Sequence, residues 1–232
     1  MIILDAGHGG YDPGGGSNVY FKEKNLTKEI TDYQFMRLKE LGLPVELVRK
    51  NDETLTPNER INVIKNLNPK ETDILISNHI NTGGSNGGEV IYSIEGTNEL
   101  PTMIAQELNK AGLNIRNVYT RLNSSGQDYY FILRDTVPKQ SMIIEYGFAD
   151  NPTDTYRLLY EWPNLAESVI KALANYYQIP YVEPAVTIYI VKPDDTLYKI
   201  AQKYNTTIET IKKNNNLTEN IIYPGAKLLI SW

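Results

Sequence analysis

Three short apolar runs, Ile2–Leu4, Ile74–Ile76 and Met142–Ile144, constrain this chain more than any other feature. Runs of this length, separated by stretches with helical periodicity, read as strands buried on both faces. Such strands belong to an α/β fold with a mostly parallel sheet flanked by helices. Sites in these folds gather at the ends of the strands, and here each run passes into ionisable residues. Asp5 leads into the turn Gly7-His8-Gly9-Gly10, Ser77-Asn78 into His79, and the third run into Glu145-Tyr146-Gly147.

His8 and His79 are the only two histidines. A lone strand-end histidine reads as a hydrogen-bonded turn residue, but two at equivalent strand ends point to a metal. Neutral imidazole suits zinc, and a catalytic zinc takes three protein ligands and keeps one position open. The chain has no cysteine, which removes thiolate ligands and disulfides together. Glu23 stands just before a helical pattern beginning at Leu26, where a carboxylate can reach back to the strand ends. Flanked by Lys22 and Lys24, it also reads as a surface carboxylate. Glu145 is harder to place as a structural residue, because a carboxylate on an Ile-Ile strand inside a sheet is costly unless a positive charge faces it. A dinucleotide cradle is excluded: G-x-G-x-x-G would need glycine where Asp12 stands.

Asp5-Ala6-Gly7-His8-Gly9-Gly10-Tyr11-Asp12, Glu23, Ser77-Asn78-His79-Ile80-Asn81 and Glu145-Tyr146-Gly147-Phe148, in that order, resemble the zinc-dependent N-acetylmuramoyl-L-alanine amidases of the amidase-3 family. The resemblance runs from residue 1 to about residue 178. It implies that His8, Glu23 and His79 hold zinc. It implies that Glu145 acts on water to hydrolyse the amide between N-acetylmuramic acid and the L-alanine of the peptidoglycan stem. Arg60 fits the family, but Ile61-Asn62-Val63 replaces its usual Ala-Asn pair, and the helix is expected to support the site rather than line it. Leu133-Arg134 also fits. Arg134 is open to two readings, an anionic group of the stem peptide or a surface ion pair, and Asn81 is a candidate for orienting a ligand or the substrate.

The 232 residues leave room for one medium and one small domain. No apolar run of 18 residues suggests a membrane span, and the net charge of −5 argues against nucleic acid as the main partner. Met1 leads directly into a strand without a basic segment or cleavage site, so no signal peptide is expected. The expectation is synthesis in the cytoplasm and action on the wall after release, as for a phage-type endolysin. A host autolysin, a spore or cell-separation amidase, a silent wall-binding protein and another zinc hydrolase are the alternatives.

Charge is uneven, with 17 basic against 24 acidic residues through Ala185 and six against four afterwards. Residues 179–185 form a short proline-bearing linker, stiff by composition, between domains 1–178 and 186–232. The second domain reads as βααβ: strand Thr187–Lys192, helices Thr196–Tyr204 and Ile208–Asn214, and strand Lys227–Ile230. With Asp194-Asp195-Thr196-Leu197 and Ile222-Tyr223-Pro224-Gly225, it is similar to the lysin motif (LysM). That resemblance implies binding of N-acetylglucosamine-containing glycan through Asp195, Thr196 and Tyr223.

Overall fold

The computed structural model describes residues 1–231. The larger part runs β1 (Ile2–Ala6), α1 (Glu23–Glu40), β2 (Val45–Leu47), α2 (Pro57–Asn66), β3 (Ile74–Asn81), β4 (Gly88–Tyr92), α3 (Glu99–Lys110), β5 (Ile115–Tyr119), α4 (Phe131–Arg134), β6 (Gln140–Phe148), α5 (Pro152–Tyr160) and α6 (Trp162–Tyr176). One sheet holds the six strands in the order β2-β1-β3-β6-β4-β5. All neighbours are parallel except β4 and β6, so the expected mostly parallel sheet is what forms. The exception follows from chain length. Residues 82–87 are too few for a helical crossover, so β4 reverses direction relative to β3, and it pairs with β6, which lies between them.

Successive side chains along a strand point to opposite faces, and this sorts the site from its support. Ile3, Leu75, Ile91 and Ile143 face one side and pack with Val48, Ile64, Ile132 and Leu133 beneath α2 and α4. Ile2, Leu4, Ile74, Ile76, Ile144 and Tyr146 face the other and join the larger core under α1, α3 and α6. Two-residue steps put Asp5, His79 and Glu145 on the first face and Asn78 and Tyr146 on the second. There, Asn78 Nδ2 donates to Gln34 Oε1 (2.8 Å), Gln34 Nε2 to Tyr146 OH (2.9 Å) and Tyr146 OH to Asn78 Oδ1 (2.9 Å). This closed ring satisfies its own buried polar groups and fixes α1 against the sheet.

α1 starts three residues before the expected Leu26. Glu23 is its first residue, with its backbone N–H donating to Ser17 Oγ at 2.9 Å. α2 opens on Thr56 as N-cap with Pro57 as its first residue, and Thr56 and Glu59 form a capping box.

β7 (Val186–Ile190), α7 (Leu197–Lys203), α8 (Ile208–Asn214) and β8 (Lys227–Ser231) form the smaller part, its two strands antiparallel. Tyr189, Val191, Leu197, Ile200, Ile211, Leu228 and Ile230 make its own core, with Tyr204 packed on it. Thr196 and Thr207 cap the two helices. The linker is fastened to the larger part: Arg37, paired with Glu167, donates to the Val182 carbonyl at 2.6 Å, and Tyr181 OH donates to Glu167 at 2.9 Å. Beyond it, Lys192 pairs with Glu161 (2.7 Å) and Lys227 with Glu29 (2.6 Å), while Ile190 is buried in the larger core. The charge asymmetry of the sequence is thus partly used across the junction.

Candidate metal centre

Among the described residues, His8, Glu23 and His79 form one group whose ligand atoms all lie within 4.8 Å of one another. His8 Nε2 and His79 Nδ1 each stand 3.1 Å from the same atom, Glu23 Oε1. The histidines do not occupy equivalent positions, as the sequence suggests. His79 lies inside β3, whereas His8 lies beyond the end of β1 with φ at 62°. Between them Gly7 is bare by necessity: a Cβ there would fall 2.4 Å from the His79 ring.

An unfavourable backbone at His8 persists only if its surroundings over-determine it. Arg60 does part of this. It pairs with buried Asp5 and donates to the carbonyls of Ala6 (3.0 Å) and His8 (2.8 Å). Arg49 is fully buried and donates to the carbonyls of Ala6 (3.2 Å), Gly7 (3.3 Å) and Lys24 (2.7 Å). Nothing in the sequence marks Arg49 beyond its place two residues after β2. α2 was expected to support the site rather than line it, but Pro57 and Arg60 line the cleft of His8, His79 and Glu145 together with Tyr130, Phe131, Ile132 and Ile143. The first turn of α2 faces the opening, and its missing Ala-Asn pair lies beyond it.

Two of the three candidate ligands, His8 and Glu23, are oriented by a further partner, the arrangement expected around a metal. His8 Nδ1 meets Asp12 Oδ2 at 2.7 Å. Glu23 accepts from Gly16 N at Oε2 (2.7 Å) and from Ile80 N at Oε1 (2.9 Å). Burial disfavours charge on both residues, yet their mutual attraction prevails. The imidazoles hold Glu23 well below the usual carboxylate range, and Glu23 and Asp12 carry His8 up to about 9. Two nitrogens and one buried carboxylate fit zinc in donor type and number.

Glu145 lies inside β6 rather than at its end, with Oε2 buried and without a hydrogen-bond partner among the described residues. Burial pushes its carboxyl up to about 7; His79 opposes the rise, and Glu23 and Glu89 add to it. Glu89, its register partner on β4, was not singled out from sequence; it pairs with Arg116 at 3.1 Å.

The remaining candidates stand apart from the cluster. Asn81 donates to Glu89 at 3.2 Å. Arg134 donates to the carbonyls of Asp128 and Tyr129, pairs with Asp135 at 3.2 Å, and lines a different cleft beside Ser93 and Lys139. In the small domain Asp195 accepts from Tyr189 OH and Lys192 N, both at 2.7 Å. Thr196 caps α7, and Tyr223 is 71% exposed. The Gly83–Gly88 loop does not line the metal cleft; Gly83 and Gly84 N–H groups are tied to Asp150.

Comparison with known proteins gives the family of the chain. Residues 2–175 match the amidase-3 family model for N-acetylmuramoyl-L-alanine amidase, and residues 189–231 match the LysM domain. YqiI of Bacillus subtilis, an uncharacterized protein, is 26% identical over 180 residues, covering 76% of this chain and 84% of YqiI. The probable cell wall amidase LytH of Staphylococcus epidermidis is 30% identical over 158 residues, or 66% of this chain, and the match spans only 49% of LytH. The CwlD amidase of Clostridioides difficile, solved with the GerS lipoprotein, has a TM-score of 0.65 at 27% identity, covering 76% of this chain and 98% of that one. The catalytic domain of CwlV from Bacillus (Paenibacillus) polymyxa shares the fold, with a TM-score of 0.66 at 23% identity over 77% and 98%. With motif order, sheet and family model in agreement, the chain belongs to the amidase-3 family of N-acetylmuramoyl-L-alanine amidases and carries a C-terminal LysM domain.

Proposed function

We propose that the protein is a zinc-dependent peptidoglycan amidase that cleaves between the lactyl group of N-acetylmuramic acid and the first L-alanine of the stem. One observation carries this reading: two imidazoles converge on a single carboxylate oxygen at 3.1 Å, in a cleft that also holds the unpartnered Glu145. When bound, zinc supplies Lewis acidity that brings the pKa of a water toward about 7 and polarises a carbonyl. The chain supplies the rest. Asp12 fixes the tautomer of His8 and so presents Nε2 to the cluster. Glu145, poised near neutrality, takes a proton from the attacking water and delivers it to the alanine nitrogen as the C–N bond breaks. The water's hydroxyl remains on the lactyl carbonyl carbon, completing the hydrolysis.

The LysM domain holds the enzyme on the wall in this reading, with N-acetylglucosamine-containing glycan as its ligand. The exposed Tyr223 ring supports that role, while Asp195 and Thr196 shape the neighbouring loop. The setting we propose is a phage-type endolysin, supported by the union of cutting and wall-binding parts in one chain. Lysis of growing cells by added protein agrees with it, and activity confined to spore or septal wall points to the other amidases.

Mass spectrometry of digested peptidoglycan tests the reaction. New alanine amino groups with muramic N-acetyl intact are expected. Acetate release identifies a deacetylase, new ends elsewhere in the stem a peptidase, and no cleavage by zinc-loaded protein a silent binder.

A further inference from the structure

The metal cleft is acidic. Asp5, Asp12 and Glu145 line it, and Glu23 and Glu89 adjoin it. Its lining arginine, Arg60, is committed to Asp5 and to backbone carbonyls. Zinc, when bound, would offset part of this charge; beyond its reach, a stem peptide carrying free carboxylates still meets like charge unless a cation at the rim compensates.

Arg134 does not serve, since its guanidinium is held by two carbonyls and Asp135. What it does is pin the base of a hairpin-like segment that starts at Arg121. Tyr129 N donates to the Arg121 carbonyl at 2.8 Å, Leu122 bridges Asp128, and Asn123 Oδ1 accepts from Ser125 N and Gln127 N across the tip. The exposed Arg121 guanidinium lies 4.1 Å from the centre of the Tyr129 ring, and its Nη1 donates to Tyr130 OH at 3.3 Å. Tyr130 in turn lines the metal cleft. Among the described residues Arg121 pairs with no carboxylate, whereas Arg37, Arg60, Arg116, Arg134 and Arg157 all do.

Resting on the amidase reading, we propose that Arg121 receives a free carboxylate of the stem peptide at the rim of the metal cleft. A guanidinium held by two aromatic side chains has little freedom left to lose. Its planar fork matches a carboxylate through two parallel hydrogen bonds, which an ammonium cannot reproduce. The site therefore distinguishes a carboxylate from a carboxamide at the same stem position.

The test uses full-length, zinc-loaded Glu145→Gln protein, with and without Arg121→Ala or Arg121→Lys. Two muropeptides are titrated by calorimetry, one with a carboxylate and one with a carboxamide on the second stem residue. Arg121→Ala is expected to weaken the carboxylate peptide by about tenfold and leave the carboxamide peptide unchanged, with Arg121→Lys in between. Equal weakening of both peptides makes Arg121 a scaffold for Tyr130 and overturns the proposal, as does no weakening or no binding of either. Failure of the amidase reading looks different: the wild-type protein leaves both peptides uncut while the binding preference persists.

Discussion

His79 on β3 and Glu145 on β6 are register partners across a parallel ladder, so an imidazole of the His-Glu-His cluster and the carboxylate proposed as the base share one face of the sheet. Neither depends on a loop for its position. Replacing Glu145 by Gln keeps the shape and removes the proton acceptor. The variant should keep its fold and zinc content and lose turnover by about 10²-fold or more. Release of alanine amino groups at matched zinc content measures it, and a near wild-type rate would exclude Glu145 as the base.

Both imidazoles meet Glu23 at a single oxygen, so the three residues should bind metal as a unit. His79→Ala is expected to lose zinc in purified protein, with activity falling in parallel. Metal analysis after dialysis checks this, and full retained occupancy would refute the ligand set.

Asp5 and Arg60 are both buried, and each leaves the other uncompensated when removed. Arg60→Ala should therefore destabilise the fold by about 3–5 kcal/mol. Denaturant unfolding of the chelated protein reads the effect apart from metal. A loss below about 1 kcal/mol, within the range of exposed pairs, would mean that water replaces the guanidinium.

Truncation after Pro184 removes no proposed ligand or catalyst, but it uncovers the contacts of Ile190 and strips Lys192 from Glu161 and Lys227 from Glu29. The shortened enzyme should melt several degrees lower, at about 2–4 °C per kcal/mol for a chain of this size. It should still cut small soluble muropeptides and bind intact walls poorly. If the rates on muropeptides and on walls fall together, the LysM domain is part of the catalytic fold instead.

The strands, and the candidate residues His79 and Glu145 on them, were legible because burial on both faces writes an unbroken apolar run, and an ionisable residue that follows it stands out. Glu23 was legible from its place ahead of a helix, although the helix begins at Glu23 itself. Directions of long side chains were not legible. Arg49, Arg60, Arg121 and Arg134 look alike in sequence, yet one fills the core, one spans core and cleft, one sits at the rim and one braces a turn. Tertiary packing decides among these, as it decides that β4 runs against β6 with Glu89 beside Glu145.

The left-handed backbone of His8 sets fold and function against each other at one position. A side chain at φ 62° is strained by about 1–2 kcal/mol where glycine is not. In the chelated protein, His8→Gly should relieve that strain but give up the pairing of the imidazole with Glu23 and Asp12, and it is unable to rebuild the metal site. A library of this chain sorted for wall cleavage would hold histidine at position 8, and the same library sorted for heat resistance alone would accept any residue that balances backbone strain against the charge of Glu23. Enrichment at that one codon thus reports which of the two demands an experiment has imposed.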